Sequence, residues 1–348
     1  MDRLKSILLV ATATILAASF ALPAADAAAE GSAALSITPR KNYTIEPGKS
    51  VEDTLTIRNL DHEKPLYLNL RVIDFTYTGD GGTPKLMLDE EAAQTTWSLR
   101  PYLQVPESVT VEPGASQTVD IGVSIPANRG GGSLYSAIVY SSSSSEGANV
   151  GLSASGVTLV FTSIPGEVDQ DLQLEKLGAY DEDVKKYSYW NLDQPFKIAY
   201  TLKNNGNVVE APVGTITLKN IFGHEVTIND INPNDSLALI GQTRTFEACI
   251  KLASQEVDFN GSRTEATTCA NPGLWPGYYS VDMDAFYSQN GNETKDLVGQ
   301  AGFWYLPWWF LTVVAVLGLF IGYHVWRVVR FVRRRRGGTS FKKRKSRR

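Results

Sequence analysis

The feature that most constrains this chain is an uncharged stretch near its C-terminal end. Residues 303–326 contain no Asp, Glu, Lys or Arg. A helix of about 20 apolar residues crosses a hydrocarbon core of roughly 30 Å, so we predict one transmembrane helix over residues 303–326 rather than a buried core helix. Aromatic rings that settle at the two headgroup levels lie at both ends of the stretch, and these are Trp304, Trp308, Trp309, Tyr323 and Trp326.

A strongly basic segment follows the apolar stretch. Residues 327–348 carry 12 Lys or Arg and no acid. Basic flanks stay on the cytoplasmic side, so we predict a cytoplasmic C-terminus and an extracellular N-terminal part. Such a tail would also hold anionic inner-leaflet lipid, at about 1 kcal/mol per base. The bases closest to the membrane are Arg327, Arg330, Arg333, Arg334, Arg335 and Arg336.

The N-terminus has the features of an export signal. Arg3 and Lys5 precede an apolar, Ala-rich run that ends at Pro23. Small residues then offer a cleavage site after Ala27 or Ala29, so residues 1–29 are predicted to be a secretory signal peptide. An uncleaved N-terminal anchor is the alternative interpretation.

This division changes the meaning of the net charge of −4. Residues 30–302 carry 19 Lys or Arg against 35 Asp or Glu, a net charge of −16, whereas the tail is +12. An acidic exported part argues against binding nucleic acid or other polyanions through bulk charge.

The exported part has the alternation of β structure. Leu66, Leu68, Leu70 and Val72 alternate with polar residues, and turns such as Glu-Pro-Gly recur. We predict an all-β protein with two tandem immunoglobulin-like β-sandwich domains, residues 34–165 and 171–302, followed by one C-terminal transmembrane helix. The predicted transmembrane helix covers residues 303–326, and the predicted basic cytoplasmic tail covers residues 327–348.

Two local features of the first domain interrupt this pattern. Apolar residues at Ile73 and Phe75 break the alternation set by Val72 and the residues before it, which suggests a β-bulge. Residues 78–88 are Gly-rich and are predicted to form a loop.

Two features of the second domain carry specific structural expectations. Pro276-Gly277-Tyr278-Tyr279 resembles the corner of an immunoglobulin-like sandwich, where Tyr279 or Tyr278 would tie a loop back. Cys249 and Cys269 are the only cysteines, and export to an oxidising space favours a disulfide between them.

Catalytic and metal-binding motifs find little support in the sequence. None of His62, His224 and His324 stands in a nucleophile or metal-binding motif. Asp282 and Asp284 share one face of a predicted strand and could act as an acid–base pair or bind calcium, but the solvated face of a strand is the simpler interpretation. We therefore expect no enzyme activity, no metal and no cofactor.

Two stretches carry a resemblance to a known family. SITPRKNYTIEPGKSVEDTLTIRNLDHEKPLYLNLRVIDF and LQVPESVTVEPGASQTVDIGVSIPANRGGGSLYSAIVY resemble the N-terminal domain of bacterial WxL-interacting cell-surface proteins. More loosely they resemble the pilus-chaperone type of immunoglobulin-like domain. The resemblance implies a peptidoglycan-linked first domain and a second domain that contacts surface proteins. It identifies no ligand-binding residue.

Together these features predict a non-enzymatic bacterial surface protein in the cell membrane. It would cross the bilayer once and bind cell-wall glycan or another surface protein outside the cell. The alternative is an envelope signalling or surface-assembly protein that couples outside binding to the basic tail.

Overall fold

The computed structural model describes residues 35–78, 82–88, 95–143, 154–259, 262–288 and 293–336. The predicted signal peptide, residues 79–81 of the Gly-rich stretch and residues 337–348 of the basic tail lie outside the described residues. Up to one C-terminal helix, the described residues form mainly β-strands, as predicted, with a short 3-10 turn at Arg100–Tyr102.

The described residues of the first domain form eleven strands, of which nine make up the sandwich and two, Phe75–Thr78 and Thr83–Leu86, pair separately. The eleven strands are β1 (Leu35–Ile37), β2 (Arg40–Thr44), β3 (Ser50–Asn59), β4 (Leu66–Ile73), β5 (Phe75–Thr78), β6 (Thr83–Leu86), β7 (Leu103–Gln104), β8 (Ser108–Val111), β9 (Ser116–Ser124), β10 (Gly132–Ser143) and β11 (Ala154–Ile164).

The first sandwich packs a four-stranded sheet, in the order β1-β3-β9-β7, against a five-stranded sheet, in the order β2-β11-β10-β4-β8. Among the described strand pairs of this sandwich, β2 and β11 are parallel and the others are antiparallel. The alternating residues of β3, β4 and β9 point into one shared core, which includes Leu55, Leu68 and Ile121. Burial of these alternate side chains stabilises the sandwich.

The five-stranded sheet is buried on both faces around its central strands β10 and β11. In β10, Leu134, Ile138 and Tyr140 belong to the inner core, whereas Tyr135 and Val139 belong to a second buried cluster on the outer face. A sheet that is covered on both sides has near-continuous apolar strands, which explains the uninterrupted apolar run in this part of the sequence.

The predicted bulge near Val72 is therefore wrong. The pairing of β4 with β10 runs without a register shift through Val72 and Ile73. Val72 packs against the inner core, while Ile73 and Phe75 pack in the outer cluster, so both faces are apolar without an extra residue. The predicted loop at residues 78–88 is also corrected, because its residues 83–86 form β6 and pair with β5.

The second sandwich has the same two-layer plan, and a separate two-stranded hairpin extends from it. Its strands are β12 (Leu172–Asp181), β13 (Lys186–Tyr187), β14 (Trp190–Asn191), β15 (Lys197–Asn204), β16 (Val213–Asn220), β17 (Glu225–Ile228), β18 (Thr243–Cys249), β19 (Leu252–Phe259), β20 (Ser262–Cys269), β21 (Gly277–Tyr287) and β22 (Lys295–Tyr305).

In the second sandwich the sheet β13-β12-β15-β18 packs against the sheet β14-β22-β21-β16-β17, and β19 and β20 form the hairpin. The predicted tyrosine corner is present at Tyr279. Its hydroxyl accepts a hydrogen bond from the Trp275 backbone N–H at 2.8 Å, and its side chain is fully buried. The hydrogen bond fixes the loop that leads into β21.

The C-terminal helix, α1 (Trp308–Arg336), begins later than the uncharged stretch. Phe303–Tyr305 end β22, where they pair with Gly277–Tyr279, and Phe303 is fully buried. Strand pairing and core burial therefore hold these residues in the sandwich. From Trp308 to Arg334 the helix has the length and composition of a bilayer span, and none of its apolar window is buried against the sandwiches.

Candidate interaction surfaces

The buried cluster on the outer face of the first sandwich is also the contact with the second sandwich. Phe75, Tyr135 and Phe161 from the first sandwich pack with residues before β16 and β18 of the second. The second sandwich contributes Val209, Ala211, Leu237 and Leu239, which are all buried. Since one apolar cluster is shared, the two sandwiches hold each other in place.

Polar contacts surround this shared cluster. The guanidinium of Arg244 lies over the ring of Tyr77, 4.8 Å from its centre, and donates to the Leu237 carbonyl at 2.7 Å. Gln242 accepts from the Tyr77 backbone N–H at 3.1 Å and donates to the Thr76 hydroxyl. Burial lowers the pKa of Arg244, although the neighbouring tyrosines oppose this effect.

On the other side of the shared apolar cluster, Arg40 and Ser133 of the first sandwich make hydrogen bonds to the second sandwich. Arg40 donates to the Asp235 carbonyl at 3.0 Å and lies over the ring of Phe161. The Ser133 hydroxyl accepts from the Val209 backbone N–H at 3.0 Å. These contacts leave a cavity of about 210 Å³ beside Arg40, which is small for a ligand site.

A larger cleft of about 840 Å³ lies in the second sandwich beside the disulfide. Cys249, at the end of β18, is bonded to Cys269, at the end of β20, with Cα atoms 5.2 Å apart, as the sequence predicted. The cleft walls combine an exposed indole with amide and carboxylate side chains. Its lining includes Trp190, Asn191, Gln194, Lys197, Glu182 and Glu247.

Lys197 is the central charge of this cleft. Its ammonium contacts Glu182 at 2.5 Å and Glu247 at 2.8 Å, and its side chain is 18% exposed. Partial burial lowers the pKa of Lys197, but the hydrogen bonds and charges of the two glutamates outweigh burial and raise it overall. Both carboxylates are paired with Lys197, so the lining of the cleft contains one ion-pair cluster of one lysine and two glutamates.

Aromatic rings continue from this cleft across the outer face of the adjacent sheet. The indole of Trp190 is 62% exposed and stacks on Trp304, with ring centres 5.6 Å apart. Tyr278, on the neighbouring strand β21, contacts Trp304 from the other side, with ring centres 5.4 Å apart. This row fixes the position of the Trp190 ring while leaving much of it open to solvent.

The first sandwich has its own groove, of about 800 Å³, along β3 and β9. Asp53 lies on its wall and accepts hydrogen bonds from the Lys41 ammonium at 2.7 Å and the Tyr43 hydroxyl at 2.8 Å. These hydrogen bonds, together with one from the Thr54 backbone N–H, lower the pKa of Asp53 to about 2. The three side chains tie the edge strand β2 of one sheet to β3 of the other.

The structure separates the residues predicted to form the membrane interface. Trp304 belongs to β22, where it lies between Trp190 and Tyr278. The other predicted aromatic residues all lie on α1 and are exposed; these are Trp308, Trp309, Tyr323 and Trp326. Arg327, Arg330, Arg333, Arg334, Arg335 and Arg336 form the last part of the same helix.

The other residues that the sequence offered as possible catalytic or metal-binding groups lie apart from one another. Asp282 and Asp284 lie on β21, opposite Thr217 and Thr215 of β16, on the face away from the core. His224 stacks on Trp275, and His324 is on the exposed helix. Among the described residues, no group of three or more His, Cys, Asp or Glu is placed to hold a metal ion. Sequence reasoning missed the Lys197 cleft, because the segments that form it are distant in sequence and carry no motif.

Comparison with known proteins returns structural likeness only. No family model matches the chain, and no curated protein matches it. The class 5 fimbrial chaperone CfaA is 12% identical, with a TM-score of 0.35 over 76% of this chain and 98% of that chain. The E. coli chaperone DraB is 12% identical, with a TM-score of 0.32 over 76% and 97%. The Pseudomonas aeruginosa CupB2 chaperone is 10% identical, with a TM-score of 0.29 over 73% and 96%. No residue role is transferred from these proteins.

Proposed function

We propose that this chain is a non-enzymatic, membrane-anchored surface protein that presents a joined pair of β-sandwiches outside the cell for binding. The observation that carries the proposal is the way β22 leads into α1. Leu306 donates to the Asn191 carbonyl at 2.8 Å, and Phe310 already donates to the Pro307 carbonyl at 2.9 Å. The second sandwich therefore continues into the helix with almost no free linker, and the shared apolar cluster extends this order to the first sandwich.

The cleft beside the disulfide is the proposed ligand site. A concave surface with an aromatic wall and a few converging polar groups is the usual form of a small-ligand or segment-binding site. The excess of carboxylates disfavours anionic polymers. The cleft suits a neutral, hydroxyl-rich glycan of the cell wall or a basic segment of another surface protein, with Trp190 as the stacking surface.

Membrane anchoring can be tested in membranes of cells that express the full chain. The protein is expected to remain in the pellet after alkaline carbonate extraction, and external protease is expected to digest the sandwiches while sparing the basic end. Release by carbonate would contradict anchoring, and protection of the sandwiches would contradict the proposed orientation.

Binding can be tested with a soluble fragment of residues 30–306, because the helix packs against neither sandwich. The fragment is expected to co-sediment with purified cell-wall sacculi or to retain a surface protein after crosslinking in native envelopes. Trp190→Ala is expected to reduce this binding by roughly 1–3 kcal/mol, a typical contribution of one aromatic anchor. Trp275→Ala is the matched control, since Trp275 is similarly exposed, at 57%, and does not line the cleft. Equal losses in the two variants, or no binding by the parent fragment, would refute the proposed site.

A further inference from the structure

A second apolar feature lies at the end of the second sandwich from which the helix leaves. Ile221 and Phe222 form the tip of the β16–β17 turn and are 60% and 66% exposed. Trp275, in the loop before β21, is 57% exposed. Single exposed apolar side chains are ordinary, but a cluster of large ones marks an interaction surface. These three residues are called the rim below.

The rim is held by backbone and side-chain hydrogen bonds that leave its apolar side chains open. Asn220 accepts from the Phe222 backbone N–H at 2.8 Å, and Ile221 donates its backbone N–H to the Tyr278 carbonyl at 3.1 Å. The His224 ring stacks on Trp275 with centres 5.6 Å apart. The two loops therefore form one fixed surface.

Strand register places the rim at the end of the sheet from which the helix leaves. Asn220 pairs with Tyr279, and Tyr279 pairs with Phe303, so these three residues lie at one level of the sheet. Phe222 lies two residues beyond Asn220 in the chain, and Tyr305 lies two residues beyond Phe303, so the rim and the end of β22 are at the same end of the sheet. Only Leu306 and Pro307 separate Tyr305 from the first residue of α1.

We propose that the rim rests in the outer headgroup layer of the membrane that α1 spans. This inference depends on the proposed anchoring. A bilayer has about 5–8 Å of headgroup layer on each side of its core, and amphipathic surfaces bury to roughly 5–10 Å. Trp308 and Trp309 mark the interfacial level on the helix, and the connection from Tyr305 to Trp308 is short and tied to the sandwich by the Leu306 hydrogen bond, which keeps this end of the sandwich close to that level.

The charges near the rim select the kind of lipid surface. Glu225, the first residue of β17, lies opposite Lys219 of β16. Asp193 is close enough to Tyr305 to raise the pKa of that tyrosine, after the larger effect of burial. No basic cluster adjoins the rim among the described residues of these loops. Burial of apolar side chains is therefore the driving force, and a zwitterionic phosphatidylcholine surface is sufficient. The contact would fix the tilt of both sandwiches, because they share one buried cluster.

The test uses the full chain reconstituted in phosphatidylcholine vesicles that contain a phosphatidylcholine with a photoreactive diazirine near the glycerol backbone. After illumination, mass spectrometry locates the lipid adducts. Adducts are expected on the rim and at Trp308. Val298 is the internal control, because it is 68% exposed on β22 but lies about 20 Å further from the helix, so it should carry none. In the variant with Ile221→Ser and Phe222→Ser, the yield at Trp275 should fall several-fold while the yield at Trp308 stays constant.

The outcomes separate this inference from the anchoring on which it depends. Adducts at Trp308 without adducts on the rim would overturn the inference and leave anchoring intact. Absence of adducts at Trp308 as well would overturn both. Protein–protein crosslinks between rims, with no lipid adduct there, would assign the surface to a second copy of the chain and also overturn the inference.

Discussion

The guanidinium carbon of Arg244 lies 4.8 Å from the centre of the Tyr77 ring, so a cation from the second sandwich covers an aromatic face of the first. Arg244 also lies over Phe246 of its own domain at 5.0 Å. The guanidinium is thus held between the two domains at the margin of their shared apolar cluster.

This contact predicts measurable coupling between the domains. A double-mutant cycle with Arg244→Met and Tyr77→Leu, analysed by urea unfolding, should give a coupling energy of about 0.5–2 kcal/mol, because a partly desolvated cation–π pair is lost in either variant. Additive single effects would show that the pair contributes nothing beyond packing.

The Asp53 cluster predicts a loss of stability in acid. The pKa of Asp53 is about 2 in the folded protein, against 3.8 as its ordinary value. Its stabilising contribution is therefore complete above pH 4 and is lost as pH falls through 2. Since the side chain is 34% exposed, solvent screening limits the contribution to about 1 kcal/mol.

Asp53→Asn should therefore lower the free energy of unfolding near neutral pH and have little effect near pH 2. Unfolding curves at both pH values measure the difference. Glu52→Gln, at the exposed neighbouring position on β3, serves as the control and should leave stability unchanged at both. A constant difference between Asp53→Asn and the parent across this pH range would contradict the assigned ionic role.

The fold class could be predicted because a strand with one buried face has an apolar residue at every second position. Leu66, Leu68 and Leu70 face the same core, and Tyr279 closes its loop as its Pro-Gly context suggests. The disulfide followed from the presence of only two cysteines. The strands and the tyrosine corner could be predicted from local sequence pattern, and the disulfide could be predicted because each cysteine has a single possible partner.

The contact between the domains could not be predicted, because its residues are distant in sequence and look like ordinary strand residues. Phe75 seemed to break an alternation, when it begins a separate strand, β5, and packs in the buried cluster outside the five-stranded sheet. The residue at which the helix begins could not be predicted either. Hydropathy cannot distinguish a buried strand end at Phe303 from the first turn of a membrane helix.

Close strand packing predicts a sharp difference between two glycines. A Cβ added at Gly214 on β16 would overlap the Cα of Ala285 and the carbonyl oxygen of Asp284 on the paired strand. Backbone atoms in a ladder cannot easily move aside, so Gly214→Ala should destabilise the protein by about 1–3 kcal/mol.

Gly122 on β9 provides the matched substitution. The nearest atom to a Cβ there is Oε1 of Gln104 at 3.9 Å, an ordinary contact. Gly122→Ala should be neutral or stabilise by about 0.4–1 kcal/mol, because alanine restricts the unfolded chain. Thermal unfolding of the two variants measures the contrast, and similar melting temperatures would argue against the packing at Gly214.

The disulfide between Cys249 and Cys269 predicts an effect confined to the second sandwich. Cys249→Ser with Cys269→Ser removes a closure across 20 residues, which is worth at most about 3 kcal/mol from restriction of the unfolded chain. The expected loss is smaller than this limit, because the β19–β20 hairpin already pairs Leu252 with Cys269. Hydrogen exchange should accelerate in β19, β20 and the end of β18, while the first sandwich keeps its protection. Two free thiols in the non-reduced parent, detected by alkylation and mass spectrometry, would remove the basis of this prediction. Equal acceleration of hydrogen exchange in both sandwiches would instead show that the disulfide also stabilises the first sandwich, through the contact between the two sandwiches.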